Sequence, residues 1–422
     1  MLKVVEAFSG IGSQVEALKN IKIDHSIAAT IEWEVSALYA YDIIHNGKQD
    51  LKDYRVHTKE SMIEKLAEYN LSSSGKDLLT KRSLRSMTMI QLKSILAAIE
   101  RTNNLIDITS IKAEELPDDI DVLTYSFPCQ DLSISSFWHN NLTGIDKNAG
   151  NRSGLLWQVE RLLKEYCNID KKLPKFLLME NVSAILSKRH IGNFRLWQEF
   201  LENIGYVNQV YTLNSNNFNV PQDRERTFMI SVLYEDQDSK HKIEDYFFEN
   251  NLENYSIEKT NYIGDYLRLN YDIEKYRNEG IESTPNYTPS RVKIFNSNRK
   301  LAFDRTPNNL INTATLTTKQ DRNPNSGIIV MENEKLKEGA AYRNLTPREC
   351  FLLMGFKEEE YDLLMEHNLK ATGGKKFLNA AKLYRLTGNS IVVPILEKIF
   401  EQIDHINENI LLNNNLTEEV KS

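Results

Sequence analysis

Two periodicities alternate along the first half of the chain. LKVVEAF (Leu2–Phe8) is an apolar run of strand length, and SQVEALKNI from Ser13 has the 3.6-residue spacing of a helix. The pair recurs: HSIAATIE ends a second strand at Glu32, and VSALYAYDII reads as a second helix. After a polar stretch and the helix-like SMTMIQLKSILAAIERT, the order resumes as strand IDVLTYSF, helix GLLWQVERLLKEY, strand KFLLMENV and helix FRLWQEFLENIG. YVNQVYTLN and RTFMISVLY then read as strands. Strands alternating with helices predict an α/β fold, with a doubly wound, mostly parallel sheet covered on both faces.

Near residue 232 the pattern changes. Tyr, Asn and charged residues become frequent, the helical period weakens, and Pro and Gly punctuate STPNYTPS and NPNSG. Residues 1–231 are expected to form a first domain and 232–345 a smaller, irregular one. Helix returns at NLTPRECFLLMGF and NSIVVPILEKIFEQI, and the polar tail 407–422 is expected to fray.

Length and composition narrow the class. A chain of 422 residues with 41% hydrophobic content suits two domains with real cores. Its three cysteines (Cys129, Cys167, Cys350) form no disulfide framework and no metal-ligand spacing, and the eight histidines are scattered. No metal is expected, and a reducing, cytoplasmic setting is. No apolar run is long enough to span a membrane, and the N-terminal residues carry no signal-peptide pattern. A net charge of −7 weighs against nucleic acid as a partner, but only as an average over the whole surface. From Arg291 to Arg322 seven basic residues face two acidic ones. A solvated face is the plain reading of such a run.

Candidate chemistry lies at the strand ends. In EAFSGIGS (Glu6–Ser13), Gly10 and Gly12 flank Ile11 and permit a tight turn with close backbone approach, while the following helix offers free N–H groups. Glu32 stands where an acid binds ribose hydroxyls, Trp33 can lie against a purine, and Asp107, followed by Ile108, can accept from an exocyclic amine. That set points to an adenosine-containing cofactor and leaves NAD and S-adenosylmethionine both open. Pro128 must end its strand, so Cys129 begins a loop at the sheet edge; a cysteine there is either a buried structural thiol or a nucleophile. Glu180 ends a neighbouring apolar run, where a poorly solvated carboxyl is suited to carrying a proton. Arg224 and Arg226 alternate in PQDRERTFMI and are expected on one face of a strand.

In order, EAFSGIGS, SFPCQDLS, MENV, PQDRERTFMI, NLTPRECFLLMGF and LTGNSI resemble the DNA (cytosine-5) methyltransferases. The resemblance spans the chain apart from an insertion at 46–105 and the middle of the second domain. It implies S-adenosylmethionine as methyl donor, S-adenosylhomocysteine as product, and double-stranded DNA bound between a Rossmann-like domain and a target-recognition domain at 232–345. It further implies that 346–384 connect the two and that 385–406 complete the first.

By the same resemblance Cys129 is the nucleophile, Glu180 holds N3 and the amine of the base, Arg226 contacts O2, and Arg224 supports that site. Phe8, Gly10, Ile11, Gly12, Glu32, Trp33, Asp107, Ile108, Asn389 and Ser390 fall on the cofactor pocket. Gln130, Ser133, Arg152, Gln222, Lys293, Arg299, Thr317 and Arg322 fall on the DNA side. A flipped-out base would be covered by the loop Asp131–Asn151, extrusion costing about a few kcal/mol. The early first motif leaves no room for an N-terminal regulatory module, as in compact prokaryotic members, which serve restriction-modification systems or act as orphans. A monomer is expected, with any restriction endonuclease separate. The same chemistry on tRNA, a silent binding protein, and a nicotinamide oxidoreductase are the alternatives. The size of the second domain weighs against the first; the intact Cys129, Glu180 and Arg226 weigh against the other two.

Overall fold

The computed structural model describes residues 1–55, 57–128, 145, 152–286 and 288–412. Strands β1 (Leu2–Ala7), β2 (His25–Ile31), β3 (Val122–Tyr125), β4 (Phe176–Val182), β5 (Tyr206–Asn214) and, beyond the two-residue β6 (Gln222–Asp223), β7 (Glu225–Leu233) supply the main sheet. Its order is β2-β1-β3-β4-β7-β5. β2, β1, β3 and β4 run parallel, and β7 is antiparallel to both its neighbours. The chain moves outward from β1 to β2 and then returns to β3 on the other side. The carboxyl ends of β1 and β3 therefore flank a switch point, where open α/β sheets build their sites.

Alternation along the strands fills both faces. Val4, Val122, Phe176, Leu178, Phe228 and Ile230 face one apolar cluster; Val5, Leu123, Leu177, Met179 and Met229 face the other. The second face is covered by the helices Leu156–Asn168 and Ile191–Asn203. Trp197 of the latter is fully buried and donates its indole N–H to the Tyr125 hydroxyl at 3.1 Å.

On the first face lie α1 (Ser13–Asn20), α2 (Val35–Asn46) and the insertion. The insertion is ordered helix: α3 (Lys59–Ala67), α4 (Lys81–Arg85) and α5 (Met89–Arg101). Thr58, Thr80 and Thr88 cap them by accepting the N–H groups of Ser61, Ser83 and Gln91. Met62, Leu66, Leu84, Leu92 and Leu96 join the same core as Leu38 and Ile43 of α2.

Beyond β7 the helix Gln237–Glu249 packs Ile243 and Phe247 into the main core, with Phe247 edge-on to Tyr211 of β5. The change in composition at 232 therefore marks a surface helix of the main sheet. The separate sheet starts later, with β8 (Lys300–Phe303), β9 (Thr306–Pro307), β11 (Ile328–Val330) and β12 (Tyr342–Asn344) in the order β12-β11-β8-β9. The short β10 (Thr313–Ala314) leaves that region and pairs in parallel with β6. Leu301, Leu316 and Ile329 belong to the same apolar cluster as Leu2 and Val4, so one core runs through both regions.

The helix Pro347–Leu353 is anchored by an ion pair between Arg343 and Glu349, 2.8 Å apart and both without solvent exposure. Glu349 also receives the N–H groups of Arg268 and Thr346. The helix Val393–Ile406 lies against α1, with Asn20 donating to Glu397 at 2.8 Å. The expected fraying does not begin at 407: Asn407–Leu411 forms a π turn that buries Ile410 and Leu411. Their apolar side chains outweigh the polar composition around them.

Burial alone would push the Glu349 carboxyl up, but the Arg343 guanidinium overrides it and holds the group below its usual range. Arg343→Met leaves that buried charge unpaired, so urea denaturation should show a loss of about 3–5 kcal/mol.

Candidate active site

The turn after β1 is built from left-handed backbone. Phe8 (φ 58°), Gly10 (φ 57°) and Gly12 (φ 80°) all have positive φ, and the Phe8 N–H bonds the Ile31 carbonyl at 2.8 Å. Gly12 has a steric reason as well: a methyl group there would come within 2.3 Å of His45 Nε2. Burial, with Lys19 adding to it, lowers the His45 imidazole to about 3. The ring is therefore neutral, and its contacts assign the tautomer: Nε2–H donates to the Ile11 carbonyl at 2.9 Å while Nδ1 accepts from Lys19 at 3.1 Å. Glu6 caps α1 by accepting the Val15 N–H at 3.0 Å and takes the Tyr41 hydroxyl at 2.5 Å. Burial pushes its carboxyl up to about 7 against these hydrogen bonds.

Glu32 follows β2 and receives the Gly10 N–H (3.1 Å) and the Glu34 N–H (2.8 Å). Burial pushes this carboxyl to about 7 also. Asn104 is a positioning residue that the motifs did not reveal. Its amide donates to the Glu32 carbonyl at 3.0 Å and its oxygen accepts from Glu32 N–H (3.0 Å) and Ile106 N–H (2.9 Å). Ile106 has φ 67°, rare for a β-branched residue, inside a three-residue turn closed by Asp107 N–H to Leu105 C=O at 2.9 Å. The strained turn that carries Asp107 is tied to the Glu32 backbone through Asn104. Trp33 packs on the core, Ile11 and Ile108 are buried, and the Ile108 carbonyl is held by Arg161. The turn that carries Glu32's partner Gly10 has open space at that glycine.

The insertion reaches this pocket. Ser72 N–H bonds the Trp33 carbonyl (2.7 Å), Val35 N–H bonds Ser72 C=O (2.9 Å), and Asn70 Nδ2 donates to Asp107 Oδ2 at 2.8 Å.

A second group of residues meets where β3 and β4 end. The Ser126 hydroxyl donates to Glu180 Oε2 at 2.6 Å, and Arg226 Nε lies 3.3 Å from Glu180 Oε1. Asn181 Nδ2 donates to the Phe127 carbonyl at 3.0 Å, fixing the chain just before Pro128. Ser126 and Asn181 went unnoticed in the sequence, although each sits inside a quoted motif. Cys129, Gln130 and Ser133 lie outside the described residues, as does the loop 131–151 apart from Ile145. Ile145 is buried, and its carbonyl accepts from Trp157 at 2.9 Å. Arg152 opens a 3-10 turn, Arg152–Leu155.

Arg224 does not share a face with Arg226. It falls in the break between β6 and β7 and turns inward. Its guanidinium donates to the carbonyls of Leu316 (3.0 Å), Gly388 (3.2 Å) and Ser390 (2.7 Å). Gln222, expected on the DNA side, is wholly buried: its amide bonds Leu353 C=O (3.1 Å) and its oxygen takes Leu316 N–H (3.0 Å). It ties the segments around Leu316 and Leu353 together. Ser390 meets the Ser13 hydroxyl at 2.6 Å, returning this segment to the start of α1, whereas Asn389 is exposed. Gly388 touches the Thr317–Thr318 backbone so closely that a Cβ would lie 2.5 Å from Thr318 N. Of the basic run, Lys293 is exposed on the helix Pro289–Ser297. Arg299 pairs with Asp223 at 2.6 Å, exposed Arg322 with Asp321 at 3.3 Å, and Arg305 with Asp272 and Glu334. No cluster able to hold a metal ion occurs among the described residues, and no helix there is long and apolar enough to cross a membrane.

Residues 88–405, most of the chain, match the C-5 cytosine-specific DNA methylases, and the chain belongs to that family. It is 31% identical to the orphan methyltransferase M.SssI of Spiroplasma monobiae, over 95% of this chain and 97% of that one. It is also 31% identical to the type II methyltransferase M2.ScrFI of Lactococcus lactis subsp. cremoris, over 96% and 99% of the two chains. The crystal structure of the S. pombe Dnmt2 methyltransferase has the same fold, with a TM-score of 0.58 at 18% identity over 96% of this chain and 98% of that one.

The raised Glu6 carboxyl fixes the sign of a pH effect. Its folded value, about 7, exceeds the unfolded value of about 4.3, so its contribution is full below the lower value and lost as pH rises through the higher. Thermal midpoints of Glu6→Gln should therefore fall less than those of the parent between about pH 5 and pH 8, with the share from Glu32 remaining.

Proposed function

We propose that the chain methylates C5 of a flipped-out cytosine in a specific double-stranded DNA sequence, with Cys129 forming a transient bond to C6. The observation that carries this is the Ser126–Glu180–Arg226 arrangement at the end of β3, one residue upstream of the Phe127–Pro128–Cys129 step. A carboxyl and a guanidinium in contact complement the cytosine edge: the acid suits N3 and the amine, the guanidinium suits O2. Attack of the thiolate at C6 breaks aromaticity and drives electron density toward N3. A proton delivered there by Glu180 leaves a neutral enamine whose C5 is nucleophilic. Loss of the C5 proton after transfer, expulsion of the Cys129 thiolate and return of the N3 proton to Glu180 restore the ring.

Glu32, Asp107, Trp33 and the turn at Phe8–Gly12 suit the ribose, amine and purine of S-adenosylmethionine. That molecule, when bound, supplies an electrophilic methyl on a sulfonium. The chain's own part is to hold the donor end and the base in line and to exclude water. Residues around 250–345, with Lys293 and Arg322 exposed, serve as the DNA-recognition region in this reading. The enzyme works as a cytoplasmic monomer, either orphan or type II, with any endonuclease a separate protein.

Cys129→Ser should abolish methylation, and a 5-fluorocytosine duplex should trap the parent covalently; bisulfite sequencing of DNA from expressing cells reads activity and target together. Methylation by Cys129→Ser at the parent rate overturns the mechanism. Glu180→Gln should lose on the order of 10²–10⁴-fold in turnover. Lys293→Ala should weaken DNA binding and lower the slope of log affinity against log salt by about 1.

A further inference from the structure

The insertion at 46–105 lies outside every family motif, yet it delivers one polar side chain to the donor pocket. Asp107 Oδ1 accepts two hydrogen bonds from Thr109, N–H at 2.9 Å and O–H at 2.8 Å, and Oδ2 accepts Asn70 Nδ2 at 2.8 Å. Three donors thus occupy a carboxylate that offers about four acceptor positions. The plane of the group is fixed, and what remains on it can only accept. Asn70 is exposed, but its backbone is not free to wander. Leu71 beside it is buried, and Ser72 is paired with the backbone on both sides of Glu34 through Trp33 C=O and Val35 N–H. Arg385 adds a bond to Ser73 C=O at 3.1 Å and one to the Glu34 carboxylate at 2.9 Å.

We propose that Asn70, carried in by the insertion, is a positioning residue that holds Asp107 as an acceptor and so makes the pocket select a 6-amino purine over a 6-oxo one. The inference rests on reading Asp107 as facing the adenine end of the methyl donor. A 6-amino group donates to the remaining acceptor position; a 6-oxo group places an acceptor against it and leaves both unpaired. Without Asn70 the carboxylate loses one of its constraints and can turn toward water, so the two purines become less distinct.

The test is calorimetric binding of S-adenosylhomocysteine and of its 6-oxo counterpart, S-inosylhomocysteine, to the full chain. The parent should prefer the amino form by roughly tenfold or more. Asn70→Ala should weaken S-adenosylhomocysteine and cut the preference to within about threefold. Asn70→Leu, which keeps bulk without a donor, should do the same, and the unliganded thermal midpoint of both should stay at that of the parent. Asp107→Ala should remove the preference entirely. If Asp107→Ala removes it and both Asn70 variants keep it, the role given to Asn70 is wrong. If Asp107→Ala keeps it, or the parent shows none, the reading of Asp107 falls and the inference with it.

Discussion

One guanidinium holds two distant stretches of chain in place. Arg224 sits in the break between β6 and β7 and gathers the carbonyls of Leu316, Gly388 and Ser390. Through Leu316 it holds the segment that closes the second region. Through Ser390 it holds the residue that meets Ser13 at the start of α1. Two residues further on, in β7, Arg226 pairs with Glu180. A planar donor fork that never loses its charge is suited to this, because three carbonyl oxygens converging in a buried space need several donors at once. Lysine has the charge but not the fork. Gln222 repeats the device nearby with a neutral amide between Leu316 and Leu353. The end of β7 and the turn after β1 are thus joined by side-chain bonds to backbone, which survive changes in the side chains around them.

The donor pocket is organised differently, around acids kept from ordinary solvation. Glu6 and Glu32 stand at the two ends of one turn, and burial raises both to about 7. Glu32 is satisfied by the backbone N–H groups of Gly10 and Glu34, and Glu6 by the Val15 N–H and the Tyr41 hydroxyl, so the turn is fixed from both acids. Asn104 locks the strand carrying Glu32 to the strained turn carrying Asp107, and the insertion buttresses both from outside. Strain at Ile106 persists because the surroundings over-determine it.

The regular elements were legible because their signals are local. The strand Tyr206–Asn214 coincides with the apolar-polar run YVNQVYTLN, and the alternation of strands with helices implied a sheet covered on both faces, as the all-apolar Phe176–Met179 shows. The candidate site was legible as motifs, and Glu180 and Arg226 do come together. What failed depended on tertiary context. Arg224 and Arg226 alternate in sequence, but a break in the strand between them sends one inward. Gln222 is polar and sits in a charged motif, yet its partners, Leu316 and Leu353, lie far along the chain. Asn70 carries no pattern at all, since its meaning comes from a residue 37 positions away. The helix Gln237–Glu249 packs on the main core although its composition reads as irregular surface, because its buried apolar residues, Ile243 and Phe247, are few.

The contact between Ser13 and Ser390 has a consequence for biosynthesis. A ribosome releases the glycine turn and α1 early, but the segment that flanks them, and the helix Val393–Ile406 that buttresses α1, emerge only after nearly four hundred residues have been made. Until then one wall of the glycine turn is missing, and the face of α1 that meets this helix stays bare. The turn is therefore completed only once translation passes residue 406.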